Sequence, residues 1–514
     1  MIDLGKNNLT IQDIEKIVFH NEKIKISDES VAKVRKCYTF LETFSKDKVI
    51  YGINTGFGPM AQYRISDEDR LKLQFNLIRS HSSGSNDLIS ENCVKSAMVA
   101  RLNTLLQARS GVNDSVIFLL ENFINLDIFP NIYKHGGVGA SGDLVQLSHL
   151  ALALIGEGKV RYKGEERNTA DVLKELNLKP IDIKIREGLA LINGTSVMTG
   201  ISMINVIRAQ KLLNHSLMIS SMINELVQSY DDHFSQELNQ VKHHRGQEVT
   251  AQAMRTITSD SRLIRKRHEH LYNGNNNELI FEERVQEYYS MRCVPQILGP
   301  IYDTIQYSKT VLENEINSVN DNPIIDPDNE NVWHGGNFHG DYVALEADKL
   351  KIAVTKLSIL AERQLNFLMN DKLNKILPPF VNLGVLGLNL GMQGAQFTAV
   401  STVAENQTLS NPVSIHSIPN NNDNQDIVSM GTNASLMTQK IINNTFEVLA
   451  IELLSVIQAV DYLNVEDKLS TESRKYYAEV RNLVPKFSED EIIYPKLEKI
   501  RNFLKKSEID YLKI

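Results

Sequence analysis

At 514 residues, 42% hydrophobic and 23% charged, the chain can build one very large core or roughly two to four ordinary domains, and its balance is that of a soluble globular protein. A net charge of −8 argues against a nucleic-acid surface as its main business. Its three cysteines, Cys37, Cys93 and Cys293, are odd in number and lack CxxC spacing, which points to a reducing, cytoplasmic setting and to no structural metal.

Taken in chain order, the N-terminal MIDLGKNNLTIQDIEK lacks the basic-then-apolar pattern of a signal peptide. Short strand-like pieces follow at Lys48 to Ile53, Val160 to Lys163 and Asp182 to Ile185, with a glycine-rich loop between them at His135 to Leu147, HGGVGASGDLVQL. Thr199 to Gln228 has helical periodicity, and the basic run Arg262 to His270 (RLIRKRHEH) reads as a solvated helix face. In Asp348 to Leu368 the residues Leu350, Ala353, Val354, Leu357, Leu360, Ala361, Leu365 and Leu368 recur at steps of three and four, which predicts one apolar stripe on a long helix. Thr438 to Tyr462 reads the same way. Its segment VLAIELLSVIQAV (448–460) is too short for a membrane span and carries Glu452 and Gln458, so it is expected to be a buried helix. These patterns divide the chain into an N-terminal domain with short strands (1–195), a central long-helix region (196–480) and a charged helical tail (481–514).

The glycine loop admits several readings. No GK[ST] follows it, so a P-loop is weak, and Gly139-Ala140-Ser141-Gly142 puts the serine one place off a nucleophile elbow. A plain turn before a helix, capped by Ser141 or Asp143, explains it blandly. A further possibility uses Ala140, Ser141 and Gly142 together. The glycine nitrogen attacks the alanine carbonyl carbon, and loss of two waters leaves a methylidene-imidazolone, an exocyclic alkene that is a strong electrophile. Glycine suits the attacking position because it lacks the Cβ that blocks unusual backbone angles.

GGVGASGDL (136–144) resembles the signature of the aromatic amino acid ammonia-lyase family. The likeness extends in the family's order through YGINTGFG (51–58), GLALINGT (188–195), QEYYSMRCVPQILG (286–299), NDNP (320–323), GGNFH (335–339) and NQDIVSMG (424–431). It implies an all-α fold of the aspartase/fumarase-like superfamily: an elongated bundle of long helices with a smaller N-terminal domain bearing the prosthetic ring. It also implies a homotetramer whose active sites are shared among three subunits, a small amino acid as substrate, no metal, and no nucleic-acid or membrane partner.

The same resemblance assigns the chemistry. Ala140, Ser141 and Gly142 would form the 4-methylidene-imidazole-5-one (MIO), with Asp143 aiding cyclisation. The enzyme is then the electrophile, accepting the substrate amine and making it a better leaving group. Tyr51 matches the family's catalytic base, which requires a stabilised phenolate or a demanding proton transfer, and the glycines around it suit a mobile lid. Arg292 resembles the residue that grips the substrate carboxylate, with Tyr289 on the same helical face. Asn193 would hydrogen-bond the ring carbonyl, while Phe338 and Gln425 would line the pocket.

For the substrate the residues divide. Ser80-His81 is the pair found in histidine lyases, yet Gln425 and Ile427 stand where those enzymes carry glutamate and histidine. A neutral amide beside isoleucine offers an imidazole no charge, and His81 can exchange a hydrogen bond with a phenol. FGPMAQYRI and HSIPNNNDNQD most resemble bacterial tyrosine ammonia-lyases of the Flavobacterium type, so the expectation is L-tyrosine giving trans-4-coumarate. Histidine ammonia-lyase, giving urocanate, is the nearest alternative, followed by an aminomutase that returns ammonia to the β-carbon. A fumarase/aspartase-type lyase lacks its GSSxMPxKxN loop here, and a purely structural helical scaffold would keep its full encoded mass.

Overall fold

Most of the protein is α-helix, and the computed structural model describes residues 1–272, 279–281 and 284–512. Contacts group the chain into two units, each assembled from separated segments. The first holds residues 1–207, 308–349 and 412–439; the second holds 208–307, 350–411 and 440–514. The helical architecture is that expected of the aspartase/fumarase-like lyases.

All the named strands lie in the first unit. Ile2–Leu4 pairs in parallel with Ile24–Ile26, and Ser85–Leu88 pairs antiparallel with Tyr133–His135. Phe129–Pro130, Lys159–Tyr162 and Glu165–Asn168 form a three-stranded antiparallel sheet, and Ile324–Asp326 forms a hairpin with Asn331–Trp333. The strand expected at 160–163 is therefore present as Lys159–Tyr162. Those expected at 48–53 and 182–185 are not: the first runs through turns and the second is irregular, with no strand assigned. β-branched residues in both stretches mimic a strand, but at 48–53 the Asn54 side chain accepts the Ile50 N–H and donates to the Lys48 carbonyl, bending the chain into a turn.

Long helices appear where the 3.6 period placed them. They run over Ser196–Leu226, Asp341–Met369 and Gly431–Leu463. Every member of the predicted stripe from Leu350 to Leu368 is buried. The segment 448–460 is buried on all sides, Glu452 and Gln458 included. Burial holds the Glu452 carboxyl well above the usual carboxylate range. Among the described residues no helix is long and apolar enough to cross a membrane. The charged tail holds the end of the helix Thr471–Leu483 and the helix Tyr494–Lys506; Ser507 onward leaves the helix. In the basic run only Arg267–Leu271 is helical. Arg267 is an internal strut, bonded to Asp232 and the Val285 carbonyl with its guanidinium over the Tyr230 ring.

Within the second unit, His215 is fully buried, with Nδ1 2.8 Å from the Tyr476 hydroxyl and Nε2 3.1 Å from the Ser507 hydroxyl. Burial lowers its pKa from 6.5 to about 3, so the folded state holds the ring neutral while the unfolded chain protonates it near 6.5. The resulting stability is complete above 6.5 and is lost as pH falls towards 3. Unfolding by urea should show the wild type losing about 2 kcal/mol more than His215→Gln between pH 7 and about pH 5. Equal losses in the two proteins would remove His215 as the sensor.

Candidate active site

The glycine loop is fastened by its neighbours before any ligand is considered. The Val138 carbonyl accepts from Met430 N at 2.9 Å, and the Gly139 carbonyl accepts from Gly340 N at 3.0 Å. Gly142 has φ +71°, and a Cβ there would overlap the carbonyl oxygen of Gly194, so no other residue fits this turn. The Asp143 amide donates to that same carbonyl at 2.7 Å.

Asp143 does not cap its own helix, Leu144–Leu154. Its carboxylate instead accepts from Val197 N and Met198 N, each at 2.9 Å, at the start of Ser196–Leu226, and from the Thr432 hydroxyl at the start of Gly431–Leu463. One acidic side chain thus ties two helix N-termini to the loop, where orphan N–H groups favour an anion. Burial pushes this carboxyl up to about 6 in spite of those donors.

Ser141 faces a cavity of about 1020 Å³. Its carbonyl oxygen receives Asn193 Nδ2 at 3.0 Å and, at 3.4 Å, Gly194 N. Two donors converging on one oxygen polarise it as an oxyanion hole would. The Ser141 hydroxyl accepts from Gln425 Nε2 at 3.0 Å, and Ala140 is buried beside it. Tyr51 enters the same cavity, its hydroxyl accepting Gly58 N–H at 3.0 Å and its ring edge-on to Phe57. The loop 51–58 is closed on itself by that bond.

Ser80 and His81 end the helix Arg70–His81 and also line the cavity, as does Phe338. His81 Nδ1 lies 2.9 Å from the Leu77 carbonyl, which can only accept; Nδ1 therefore carries the proton, and Nε2 is left as an acceptor. Burial lowers the His81 pKa, which keeps the ring neutral.

Tyr289 and Arg292 do not line this cavity. They belong to the second unit, on the short helix Tyr289–Arg292, and line a separate recess of about 540 Å³ with Arg363 and Phe367. The Arg292 guanidinium stacks 4.8 Å from the Tyr289 ring centroid and donates to Gln286. Tyr289 is 70% exposed. Ile427 is exposed as well and takes no part in the cavity wall.

Several wall residues were not singled out from the sequence. Asn322 sits within NDNP, His334 immediately precedes GGNFH, and Asn421 and Asn422 adopt positive φ in the asparagine-rich loop. Burial lowers the His334 pKa. Proximity to the recognised stretches was the available signal. Among the described residues the wall carries no lysine, arginine, aspartate or glutamate. A substrate carboxylate would find no counter-charge in it.

The aromatic amino acid lyase family model matches residues 9–482. A histidine ammonia-lyase from Bacillus cytotoxicus is 38% identical over 508 residues, covering 99% of this chain and 97% of its own. Among solved structures, a tyrosine aminomutase from Streptomyces globisporus superposes with a TM-score of 0.94 at 35% identity, covering 98% of this chain and 96% of that one. The histidine ammonia-lyase from Trypanosoma cruzi superposes at 0.88 with 31% identity, covering 98% and 93%. With a match of that extent built around the Ser141 loop, the chain belongs to the aromatic amino acid lyases and is a carbon–nitrogen lyase.

Proposed function

We infer that this enzyme is a histidine ammonia-lyase, removing ammonia non-oxidatively from L-histidine to give urocanate. The observation that carries the reading is the full-length likeness to histidine ammonia-lyases together with Ser80-His81 in the wall of the Ser141 cavity. The expectation of tyrosine is withdrawn. It leaned on the likeness of FGPMAQYRI and HSIPNNNDNQD to tyrosine ammonia-lyases and on the missing charge at Gln425 and Ile427; Gln425 lines the cavity and Ile427 is exposed outside its lining. The finding that overturns it is that the curated relatives matching the full chain carry the histidine name.

Ala140, Ser141 and Gly142 fit the 4-methylidene-imidazole-5-one group. The turn at Gly142 excludes a Cβ, and two donors already address the oxygen that would become the ring carbonyl. Formed there, the ring supplies an electron-poor alkene that draws electrons from the substrate amine and eases its departure. Asn193 and Gly194 hold the Ser141 oxygen. Tyr51 takes the β-proton, its phenolate oxygen steadied by the Gly58 N–H. His81 Nε2 accepts the imidazole N–H of a neutral substrate ring, which Phe338 flanks.

The uncharged wall requires a carboxylate clamp from elsewhere. Arg292, stacked on an exposed Tyr289, suits a second copy of the chain, and the proposed assembly is a homotetramer with shared active sites. Three cysteines, none of them in a disulfide, favour the cytoplasm as its compartment. A second reading, an aminomutase, is favoured by the likeness to the Streptomyces enzyme and predicts a β-amino acid in the products.

Supplied with histidine and tyrosine in turn, the purified enzyme should give the ultraviolet spectrum of urocanate, with tyrosine turned over at least about 100-fold less efficiently, as a buried ring partner can discriminate. Coumarate as the dominant product would end the reading. Ser141→Ala and Arg292→Ala should each be inactive alone, yet co-assembled from mixed, refolded subunits they should regain activity, because some sites then combine intact halves. No recovery in verified mixed oligomers would refute sharing of Arg292.

A further inference from the structure

Arg101, Arg186 and Asp321 are charged side chains with no solvent exposure that cluster in the first unit without a part in the chemistry above. Arg186 Nη1 is 3.1 Å from Asp321 Oδ2 and also donates to the Ser110 carbonyl. Arg101 donates through one nitrogen to the Ala190 carbonyl and through the other, at 3.4 Å, to Asn320 Oδ1. Burial lowers the Arg101 guanidinium to about 10, which still leaves it cationic near neutrality.

Burying ions in this way is a poor route to stability. Desolvation costs several kcal/mol per ion, roughly matching or exceeding what the pair returns, and apolar packing of equal volume often does better. The cluster is also incompletely satisfied, since Arg101 Nε, Arg186 Nε and Nη2, and Asp321 Oδ1 have no hydrogen-bond partner among the described residues. Its placement is more telling than its energy. Arg186 is the residue before the short helix Glu187–Ile192, and Ala190 lies within that helix. Asn320 and Asp321 belong to the loop that passes beside its end.

Both elements meet at Asn193. It follows the helix directly, and its Oδ1 accepts the Asn322 N–H at 2.8 Å. That backbone donor fixes which way the carboxamide faces, because only the oxygen can receive it; the NH₂ is thereby turned to Ser141 O at 3.0 Å. Next to it, Gly194 (φ +139°) has no Cβ, and one placed there would crowd Arg101 and Asn320. Each of the two segments that orient the Asn193 amide is thus held by a buried arginine.

We propose that Arg101 and the Arg186–Asp321 pair are positioning residues that hold the Asn193 carboxamide against the Ser141 carbonyl, through the Ala190 helix on one side and the 320–322 loop on the other. This rests on the reading of Ser141 as the ring-forming residue. Such a clamp acts on loss of the Ser141 side-chain water, when a polarised Ser141 carbonyl makes the neighbouring Cα proton easier to remove, and again on elimination. It does not act on substrate affinity.

The test uses the purified full-length enzyme with Arg101→Gln and Asn320→Ala, each alone and each combined with Asn193→Ala. Asn320→Ala removes an acceptor of Arg101 without leaving a new buried charge. Each single variant should lower kcat about tenfold or more with KM within about twofold, whereas in the Asn193→Ala background the further fall should stay under about twofold. Intact mass gives a readout independent of turnover: the share of chains that have lost two waters should drop in both single variants. Losses that multiply equally in the two backgrounds would overturn the clamp. So would failure of both variants to fold where Asn193→Ala folds, because the cluster would then serve structure alone. A wild-type chain at its full encoded mass would instead remove the ring, and the clamp with it.

Discussion

Ser141→Ala is expected to leave a folded enzyme that has lost activity by about three orders of magnitude or more, the scale of an electrophile that supplies roughly 4 kcal/mol or more of the barrier reduction. The fold should survive because alanine removes from the uncyclised loop only the Ser141 hydroxyl with its hydrogen bond from Gln425, worth about 1 kcal/mol. The backbone contacts at the turn, Asn193 to the residue-141 carbonyl and Asp143 to Gly194, do not involve the hydroxyl. Two measurements make the expectation specific. Intact mass should find the wild type lighter than its encoded chain by two waters, while Ser141→Ala cannot release the water that comes from the serine side chain. Urea unfolding should place the variant within about 1.5 kcal/mol of the wild type. A wild type that deaminates substrate at full encoded mass, or a Ser141→Ala chain with more than about a tenth of the activity, contradicts the electrophile and with it the covalent route.

The parts of this protein that periodicity could express were legible in its sequence. Leu350 to Leu368 repeats apolar residues at helical spacing because one face of that helix is buried, and each residue on the stripe is. The GGVGASGDL loop was legible for a different reason: an attack within three residues is local chemistry, so its requirements sit side by side in the chain. Lys48 to Ile53 misled because β-branched residues mark a strand only when a partner strand is present, and the Asn54 side chain supplies a turn instead. Asp143 looked like the cap of the helix that follows it, yet its acceptors serve helices that begin more than fifty residues later. No local pattern encodes that. The vote of Gln425 and Ile427 failed similarly. It rested on the charge missing at two loop positions, and a loop's sequence does not tell which side chain lines a cavity: Gln425 does and Ile427 does not.

Tyr51→Phe should lower kcat by about 10³-fold, within the range of a general base, while changing KM less than about threefold. The argument is geometric. Tyr51 and Ser141 line one cavity, and among the described residues that wall offers no carboxylate that could take a β-proton in the phenol's place. The phenol oxygen accepts from Gly58 N–H at 3.0 Å, which holds it in the cavity wall. His81 is the other wall base to weigh, but its Nδ1 is committed to the Leu77 carbonyl, and Nε2 is the atom assigned to the substrate ring. Its loss should therefore appear in KM and in substrate preference before it appears in kcat. Ring formation draws on the backbone of residues 140–142 and on Asn193, so Tyr51→Phe should still weigh two waters less than its encoded chain. Loss of the Gly58 contact should cost about 1 kcal/mol of stability. A variant that keeps the missing waters and the fold yet retains more than about a tenth of wild-type kcat would show that the proton leaves by another route, and His334, also in the wall, would be the next base to remove.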